Sequence, residues 1–545
     1  MMRVRRSLHP SPDEAVPVPW ELIDSYSKES TIHGIKYLGE KKQHWLERVF
    51  WISVFVISVS FCIKNMMEIY EKREEKPVMV SQSKLLSPTF NIPFPAITIC
   101  PEMKAKCNKL NMTDAISRKD QIFTAEESKR IAAMSHVCDN LAYEEKAENR
   151  TDNINIIKLL DEMSFSQNDI FEKCRYASWK FEDCDKIFDK ILTDVGICYT
   201  FNMLSYKDYV DKTSMHPDLH VPKHDYKSSW FLDKDYDSAE INIYPRRVMG
   251  AGLQSGLSVQ FKFNSTMLCS SCVSGINGFR VSLHMPVESP QISKQFYNVP
   301  FQRETNLIVK PDMIYSSKDT KNYLPEKRGC YFIKERKLKY FKIYSKTNCD
   351  LECKADYIMR KCGCVKFSMP HTNDRDVCDN TKLECVHQAE LNFTTEESQK
   401  NLMELKLKRD IKHGKATKND PRKKAIEEMV SCNCLPSCTS ISYNVEISQT
   451  DYDAVKDEFS YANLNIYFKE PYFSRLKRYE IYGWSDFLSN SGGLLGLFMG
   501  CSVLSFIEIL YHIVLYFVRK VRKQWNKKKT DSQRMPEETL TIQRF

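Results

Sequence analysis

Two apolar segments near the ends of the chain limit its fold more than any other feature. Only residues 49–70 and 487–518 approach the length of a membrane span, and the sequence between them is polar and mixed. A transmembrane helix needs about 20 predominantly apolar residues. The first segment lacks the short apolar region and cleavage site of a signal peptide, so we interpret it as a retained signal anchor. The sequence therefore predicts a two-pass membrane protein.

Basic residues flank both apolar segments on the sides toward the chain ends. Lys and Arg concentrate on the cytoplasmic side of a membrane, which predicts a plasma-membrane protein with both termini in the cytoplasm. We interpret the cations after the second segment as contacts for anionic lipid rather than for nucleic acid. The flanking cations are Lys41, Lys42 and Arg48 before the first segment, and Arg519, Lys520, Arg522, Lys523 and Lys527 to Lys529 after the second.

Cysteines and glycosylation signals independently predict that the middle of the chain is extracellular. Eighteen of the 20 cysteines lie between the apolar segments, and only Cys62 and Cys501 lie within them. Disulfides form in oxidising compartments such as the cell exterior. The Asn-x-Ser/Thr acceptors for N-glycosylation also lie between the segments, at Asn111, Asn149, Asn264 and Asn392.

Ten cysteines between Cys330 and Cys438 have a spacing that predicts a disulfide ladder. Four residues of helix and two residues of strand both rise about 6 Å and return to the same face. A helix with two cysteines four apart therefore matches an extended segment with two cysteines two apart. The predicted rungs are Cys349–Cys434 and Cys353–Cys432, extended by Cys330–Cys438, with Cys362–Cys385 and Cys364–Cys378 closing nested loops.

A zinc site is the alternative interpretation of these clustered cysteines. The paired CxxC motifs of a zinc ribbon are missing from the cluster, and the compartment favours oxidation, so we expect no metal. A single CxxC at Cys269 and Cys272 is interpreted as a local disulfide.

An insertion at residues 386–431 separates the two halves of the ladder and is rich in Glu and Lys. Thr394 and Glu397 have the spacing of a capping box, and Gly414 is placed to end a helix. The pattern predicts a solvated surface helix in preference to a binding site.

The continuously apolar part of the first apolar segment is too short to span a membrane alone. It is continuously apolar over residues 49–63, after which come Lys64, Asn65 and Glu68. Fifteen helical residues rise about 22 Å, less than the roughly 30 Å of hydrocarbon. The helix must continue with these polar residues facing protein or water, which favours an assembly.

The second apolar segment carries small and polar residues that a simple anchor does not need. Gly492, Gly496 and Gly500 recur every four residues, and Cys501, Ser505, Glu508 and His512 continue along one face. Rings of acidic side chains form cation pores, and small residues let backbone carbonyls approach an ion. The alternatives are close helix packing for the glycines and a paired structural charge for Glu508.

Motifs along nearly the whole chain resemble the degenerin, epithelial sodium channel and acid-sensing channel family. The most similar branch is the insect pickpocket branch. The motifs are TIHGIKYLGE, FPAITICP, GICYTFN, LPEKRGCYF, NCDLECKADYIMRKCGCVKF, CNCLPSCTSISY and GGLLGLFMGCSVLSFIEI.

The resemblance implies an α+β membrane protein that assembles as a homo- or hetero-trimer. Two transmembrane helices would flank a large disulfide-rich extracellular domain with a β-sheet palm core and a helical finger and thumb. It also implies a voltage-independent, sodium-preferring and amiloride-sensitive channel with a sensory role. The expected divisions are residues 1–48 (cytoplasmic), 49–70 (first helix), 71–486 (extracellular, with the thumb near 330–438), 487–518 (second helix) and 519–545 (basic tail).

The resemblance also implies roles for individual residues. Gly500, Cys501 and Ser502 would form the selectivity filter, and Gly496, Ser505 and Glu508 would line the pore, with Gly496 linked to amiloride block. His33 and Gly34 would belong to a cytoplasmic re-entrant segment that affects gating. Enlarging Ser489 would lock the channel open. The family pattern further implies the disulfides Cys100–Cys198 and Cys174–Cys184.

The sequence departs from the acid-sensing members at two pore positions. Asn490 and Tyr511 stand where those members often carry acidic residues, and we identify no cluster of paired extracellular carboxylates, which weakens the expectation of proton gating. Cys107 and Cys138 are candidates for an additional bridge. The expected stimulus is an extracellular ligand, an osmotic change or a mechanical force.

Other classes of function receive less support. The chain has no HExxH, GxSxG or phosphate-binding Gly-rich loop, so we expect no catalytic residues and no cofactor beyond permeant Na+. A two-pass adhesion or scaffolding receptor, or a regulatory subunit that conducts only in heteromers, remains an alternative. An ATP-gated two-pass channel would need a different cysteine spacing and a Lys-rich phosphate site.

Overall fold

The computed structural model describes residues 26–27, 29–39, 44–75, 77–117, 123–138, 155–211, 244–264, 277–372, 376–417, 420–429, 432–452, 455–456, 459–481 and 483–532. The chain forms two compact units. One unit joins the two ends of the chain, Met1–Met79 and Glu480–Phe545, and the other is Val80–Tyr479.

Helices and strands occur in groups along the chain. The helices are α1 (Ile35–Gly39), α2 (Trp45–Glu75), α3 (Met112–Ser117), α4 (Ala125–Met134), α5 (Ile156–Met163), α6 (Gln167–Ile170), α7 (Tyr206–Tyr209), α8 (Pro325–Arg328), α9 (Lys346–Cys362), α10 (Leu383–Lys412), α11 (Arg422–Glu428), α12 (Trp484–Met499) and α13 (Val503–Ser532).

The strands lie in the unit formed by the middle of the chain, with the outer ends of the first and last at its boundary. They are β1 (Val78–Pro88), β2 (Ala96–Pro101), β3 (Phe171–Tyr176), β4 (Trp179–Phe181), β5 (Phe188–Thr193), β6 (Gly196–Phe201), β7 (Leu257–Asn264), β8 (Gly278–His284), β9 (Tyr297–Pro300), β10 (Arg303–Ser316), β11 (Ser440–Asp451), β12 (Val455–Lys456), β13 (Phe459–Phe468) and β14 (Tyr472–Glu480).

The larger sheet has the strand order β1-β14-β10-β13-β7-β3-β4, with β11 paired to β10 and β12 paired to β13. Strand β10 is antiparallel to β11 and parallel to β13. In β7, Leu257, Val259, Phe261 and Phe263 are buried and alternate with half-buried polar residues, because successive side chains of a strand point to opposite faces. One face of the sheet therefore forms part of the core.

The smaller sheet has the order β5-β6-β2-β8-β9. Strands β2 and β6 are buried along their whole length, as expected for neighbouring apolar strands inside a sheet. The disulfide Cys100–Cys198 links these two strands. Phe261 of β7 stacks on Phe279 of β8 with ring centroids 4.1 Å apart, so the two sheets share one core.

The disulfides have the pairs that the cysteine spacing and the family pattern predict. Helix α9 carries Cys349 and Cys353, which bond to an extended irregular segment at residues 432–438 with Cα–Cα distances of 5.8 and 5.6 Å. The other bridges are Cys100–Cys198, Cys174–Cys184, Cys330–Cys438, Cys362–Cys385 and Cys364–Cys378. Cys107 and Cys138 are also disulfide-bonded, and Cys269 and Cys272 lie outside the described residues.

The predicted capping box at Thr394 is wrong. Helix α10 already begins at Leu383, and the Thr394 hydroxyl donates a hydrogen bond of 3.1 Å to the Glu390 carbonyl in the middle of the helix. Gly414 follows the helix with φ of +70°, in agreement with its predicted position at the end.

The unit formed by the two ends of the chain contains the apolar helices. By length and composition, α2 is long enough to cross a membrane, and α12 with α13 passes the same test as one broken span. The second apolar segment is therefore not a single continuous helix. Its two parts meet at an angle of 72°.

Candidate functional site

Helix α12 ends at Met499, and the next residue, Gly500, makes the break in the second apolar segment. Gly500 has φ of +66° and ψ of 18°, a left-handed conformation that a side chain disfavours. Its N–H donates to the Gly496 carbonyl at 3.0 Å, and the Cys501 N–H donates to the Leu495 carbonyl at 3.2 Å. These bonds satisfy carbonyls that the helix end would otherwise leave unpaired.

Ser502 and Ser505 begin the next helix with reciprocal hydrogen bonds. The Ser505 N–H donates to the Ser502 hydroxyl at 3.3 Å, and the Ser502 N–H donates to the Ser505 hydroxyl at 3.2 Å. This is the geometry of a capping box with serine at both positions. The small residues at 500–502 thus end one helix and start another within an apolar segment.

The N-terminal segment packs directly on this break. The His33 N–H donates to the Met499 carbonyl at 3.0 Å. A Cβ atom on Gly500 would overlap the His33 imidazole ring, so only glycine leaves room for this contact. The structure therefore brings together His33 and Gly500, two residues that the sequence predicts separately.

The same segment covers the polar face of α13. The Thr31 hydroxyl donates to Glu508 at 2.8 Å and lies 3.1 Å from the Ser505 hydroxyl. Ser505 is only 1% exposed, and His512 lies 3.5 Å from the Glu29 carboxylate. Three residues of the predicted polar stripe, Ser505, Glu508 and His512, thus contact the chain's own N-terminal segment in the single chain.

A second contact surface fixes the N-terminal segment to α2. Gly34 has φ of +89°, and the Phe55 side chain lies 3.3 Å from the position of a Cβ on Gly34. Tyr37 stacks on Trp51 with ring centroids 4.3 Å apart. Residues 31–37 thus contact both α2 and the helix break.

An arginine joins the C-terminal end of α2 to the N-terminal end of α12. The Arg73 guanidinium lies 4.6 Å from the centroid of the Trp484 ring and 5.9 Å from that of Phe487. The Ile481 N–H donates to the Pro77 carbonyl at 2.9 Å, and these two residues lie shortly before Trp484 and shortly after Arg73 in the sequence. Cation–π contacts of this kind contribute about 0.5–2 kcal/mol.

Ser489 and Gly496, two predicted functional positions, are exposed on α12 in the single chain. No described atom lies within 4 Å of a Cβ placed on Gly492. Gly492 therefore makes no close contact with the described residues of this chain, which leaves this part of the glycine stripe available to another copy.

The predicted glycosylation sites differ in their exposure. Asn111 and Asn392 are exposed, whereas Asn264 is half-buried at the end of β7. Asn149 lies outside the described residues.

A polar cavity of about 370 Å³ lies where the end of β8, the chain after it, the start of α9 and β11 meet. Glu288 and Asp350 both line it, a pair of carboxylates that the sequence did not reveal. Burial raises the pKa of Glu288 to about 7 despite hydrogen bonds from Thr347 and Ser345, and burial also raises the pKa of Asp350.

Three of the contact residues were missed by sequence reasoning: Thr31, Glu29 and Arg73. Thr31 stands two residues before His33, in the motif that carried the family resemblance, so its position offered a signal. The partner on α13 is 477 residues away in sequence and had no local signal.

The family model described as "Amiloride-sensitive sodium channel" matches residues 26–512 of this chain. Pickpocket protein 28 of Drosophila melanogaster is 28% identical over 93% of this chain and 80% of its own length. The sodium channel protein Nach of the same fly is 23% identical over 91% of this chain and 86% of its length.

Vertebrate relatives are similar over a comparable length. Acid-sensing ion channel 4-B of Danio rerio is 22% identical over 94% of this chain and 79% of its own length. Among solved structures, a proton-activated chloride channel aligns over 86% of this chain and 95% of its own, with a TM-score of 0.27 and 6% identity, too low to support a conclusion.

Proposed function

Because this chain belongs to the amiloride-sensitive sodium channel family, we propose that it is a subunit of a trimeric, sodium-preferring cation channel. Its C-terminal apolar segment lines the pore, and Gly500, Cys501 and Ser502 form the narrowest part. The channel is voltage-independent and blocked by amiloride. An extracellular chemical, osmotic or mechanical stimulus opens it.

The observation that carries this proposal is the helix break at residues 500–502. Irregular backbone within an apolar membrane segment persists where it lines protein or a water-filled cavity. The break is followed directly by Ser505 and Glu508 on one face of α13. A membrane anchor gains nothing from these residues, whereas a pore uses backbone and carboxylate oxygens to replace the water around an ion.

Exposed apolar surface supports the assembly of several copies in a membrane. Leu497 is 78% exposed and Val503 is 77% exposed in the single chain, on either side of the break. Lipid and neighbouring subunits would cover such surface. The exposed glycines of α12 then permit close approach of helices from three copies.

The topology follows from charge and glycosylation signals. Both termini lie in the cytoplasm of a plasma-membrane protein, and the unit Val80–Tyr479 lies outside the cell. His33 and Gly34 form a cytoplasmic gating element, and the contacts of residues 31–33 with Met499, Ser505 and Glu508 support this role.

Expression of the chain by itself in cells without endogenous sodium channels tests the proposal. We expect an inward current that requires external Na+, is blocked by amiloride and appears under one of a panel of extracellular stimuli. The chain must also be detected at the cell surface. No current under any stimulus, with normal surface delivery and with an enlarged side chain at Ser489, would reject a homomeric channel.

Co-expression with related subunits separates a regulatory subunit from an adhesion receptor. A current that appears only with a sibling subunit, and whose conductance changes with Glu508→Gln, identifies a heteromeric channel. A current that is insensitive to every substitution in this chain would favour the receptor.

A further inference from the structure

A dense group of positive charges in the middle unit lies at the end of the α10–α11 hairpin. Residues 405–424 contain nine Lys or Arg and two Asp, a formal charge of +7, whereas the entire chain carries +9. Like charges held close together destabilise a fold through mutual repulsion. A concentration of this size therefore needs a reason beyond solubility.

The structure uses one arginine to neutralise both acidic residues of this stretch. Arg422 contacts Asp410 at 2.8 Å and Asp420 at 3.0 Å. Leu407 of α10 and Ile426 of α11 are buried, so apolar packing holds the two helices together. The described parts of the two helices are therefore held together by an ion pair and by apolar packing.

The exposed Lys and Arg side chains of the described hairpin residues form few ion pairs with acidic groups of the chain. Lys406, Arg409, Lys415 and Lys424 are exposed, and the structure gives none of these four an ion pair with a described residue. The pairs Lys408–Glu404 and Lys423–Glu427 are long, at 4.0 and 3.9 Å, and exposed pairs of this kind contribute about 0–1 kcal/mol. We call these six Lys and Arg residues the basic tip.

We propose that the basic tip binds a sulfated polysaccharide outside the cell. The inference rests on the extracellular placement of this unit in the proposed function. Lys406 and Arg409 lie three residues apart, so they share one face of α10, which ends at Lys412. Lys423 and Lys424 add cations from the second helix.

A group of exposed cations suits a polymer with repeated anionic groups better than one compact anion. Dense basic runs are typical of nucleic-acid and heparin sites, and the extracellular location selects the latter. Binding would tie the channel to the matrix around the cell.

Intact cells provide the test, because the basic residues after Arg519 would also bind heparin in detergent. The full chain is expressed in cells that lack glycosaminoglycan synthesis. Binding of a fluorescent heparin oligosaccharide is then measured at several salt concentrations and divided by the surface level of the protein. We compare the wild type with a variant in which Lys406, Arg409, Lys415 and Lys424 are all changed to Gln.

The tip variant should bind at least about tenfold more weakly and show a shallower salt dependence, with the slope reduced by about four. A control variant removes the same charge from dispersed exposed positions: Lys129, Lys180, Lys318 and Lys334, all changed to Gln. The control should bind as the wild type does.

Several results would overturn the proposal. If both variants lose heparin binding equally, the binding is unspecific charge attraction. If both variants bind heparin as the wild type does, the basic tip is not the binding site. Stronger competition by polyglutamate than by heparin would assign the tip to an acidic protein. Binding to purified protein but not to intact cells would reject the extracellular placement. Sodium current is measured on the same cells, so a non-conducting chain that still binds heparin would reject a homomeric channel without rejecting the tip.

Discussion

The Thr31 hydroxyl donates a hydrogen bond of 2.8 Å to the Glu508 carboxylate, across 477 residues of sequence. Thr31 precedes the first apolar helix, and Glu508 lies on the last helix. The bond therefore joins the N-terminal segment to the last helix, next to the break at Gly500. Thr31 has a second contact there, because its hydroxyl also lies 3.1 Å from the Ser505 hydroxyl.

Removing the Thr31 hydroxyl should loosen the N-terminal segment. A hydrogen bond to a charged group contributes about 1.5–3 kcal/mol. We expect Thr31→Val to increase the rate at which a cytoplasmic thiol reagent modifies Ile32→Cys by roughly tenfold or more, because Ile32 is buried and adjoins Thr31 in sequence. Thr31→Ser, which keeps a hydroxyl, should leave the rate nearly unchanged.

The rate is corrected for the native free cysteines Cys62 and Cys501 by measuring the parent chain in parallel. Equal modification rates in the Val and Ser variants would show that the hydrogen bond does not hold the segment.

Replacing Gly500 with alanine should abolish current without stopping surface delivery. The left-handed conformation costs alanine about 1–2 kcal/mol, and the new methyl group would also overlap the His33 ring. The double variant Gly500→Ala with His33→Ala relieves the overlap and keeps the backbone cost, so we expect partial recovery. Current per surface-labelled channel is the measurement. Full current in Gly500→Ala alone would contradict the tight contact.

A bulky residue at Ser489 should produce a standing sodium current and cell swelling. Ser489 is exposed on α12 in the single chain, where a second copy would approach it in a trimer. A large side chain would hold neighbouring helices apart. Ser489→Phe is compared with Ser489→Ala by whole-cell recording in the presence and absence of amiloride. A silent Phe variant with normal surface delivery would count against this position.

Glu288 should make the stability of the protein pH-dependent. Its folded pKa of about 7 lies above the ordinary value of 4.5, so its favourable contribution is complete below about pH 4.5 and is lost as pH rises through 7. Glu288→Gln should stabilise the purified full chain at pH 8 by up to about 3 kcal/mol, with little effect at pH 4.5.

Thermal unfolding of wild type and variant at the two pH values measures this difference. Glu326→Gln is the control, since Glu326 is exposed. A Glu288 variant that is equally stabilised at both pH values would show that a cause other than ionisation is responsible.

Local chemistry made parts of the structure predictable from sequence. The spacing of Cys349, Cys353, Cys432 and Cys434 specifies the ladder because helix rise and strand rise match at four and two residues. The helix break at Gly500 follows from glycine's tolerance of the left-handed conformation.

Other parts depend on packing that a local pattern does not contain. The sequence around Thr394 resembles the start of a helix. However, Val386, Ala389 and Phe393 are buried in one cluster with α9, and this packing stabilises a helix that begins earlier, at Leu383. The partner of Glu508 was equally unpredictable, since only the folded chain brings Thr31 to it.

The most direct test of the pore is single-channel recording from cells that express wild type and Glu508→Gln together. If three copies of Glu508 surround one ion path, mixed trimers should give four discrete conductance levels, decreasing with the number of Gln residues. Cells with either chain alone should show only the highest or the lowest level. A single unchanged conductance in the mixture and in the pure variant would contradict a pore lined by this residue.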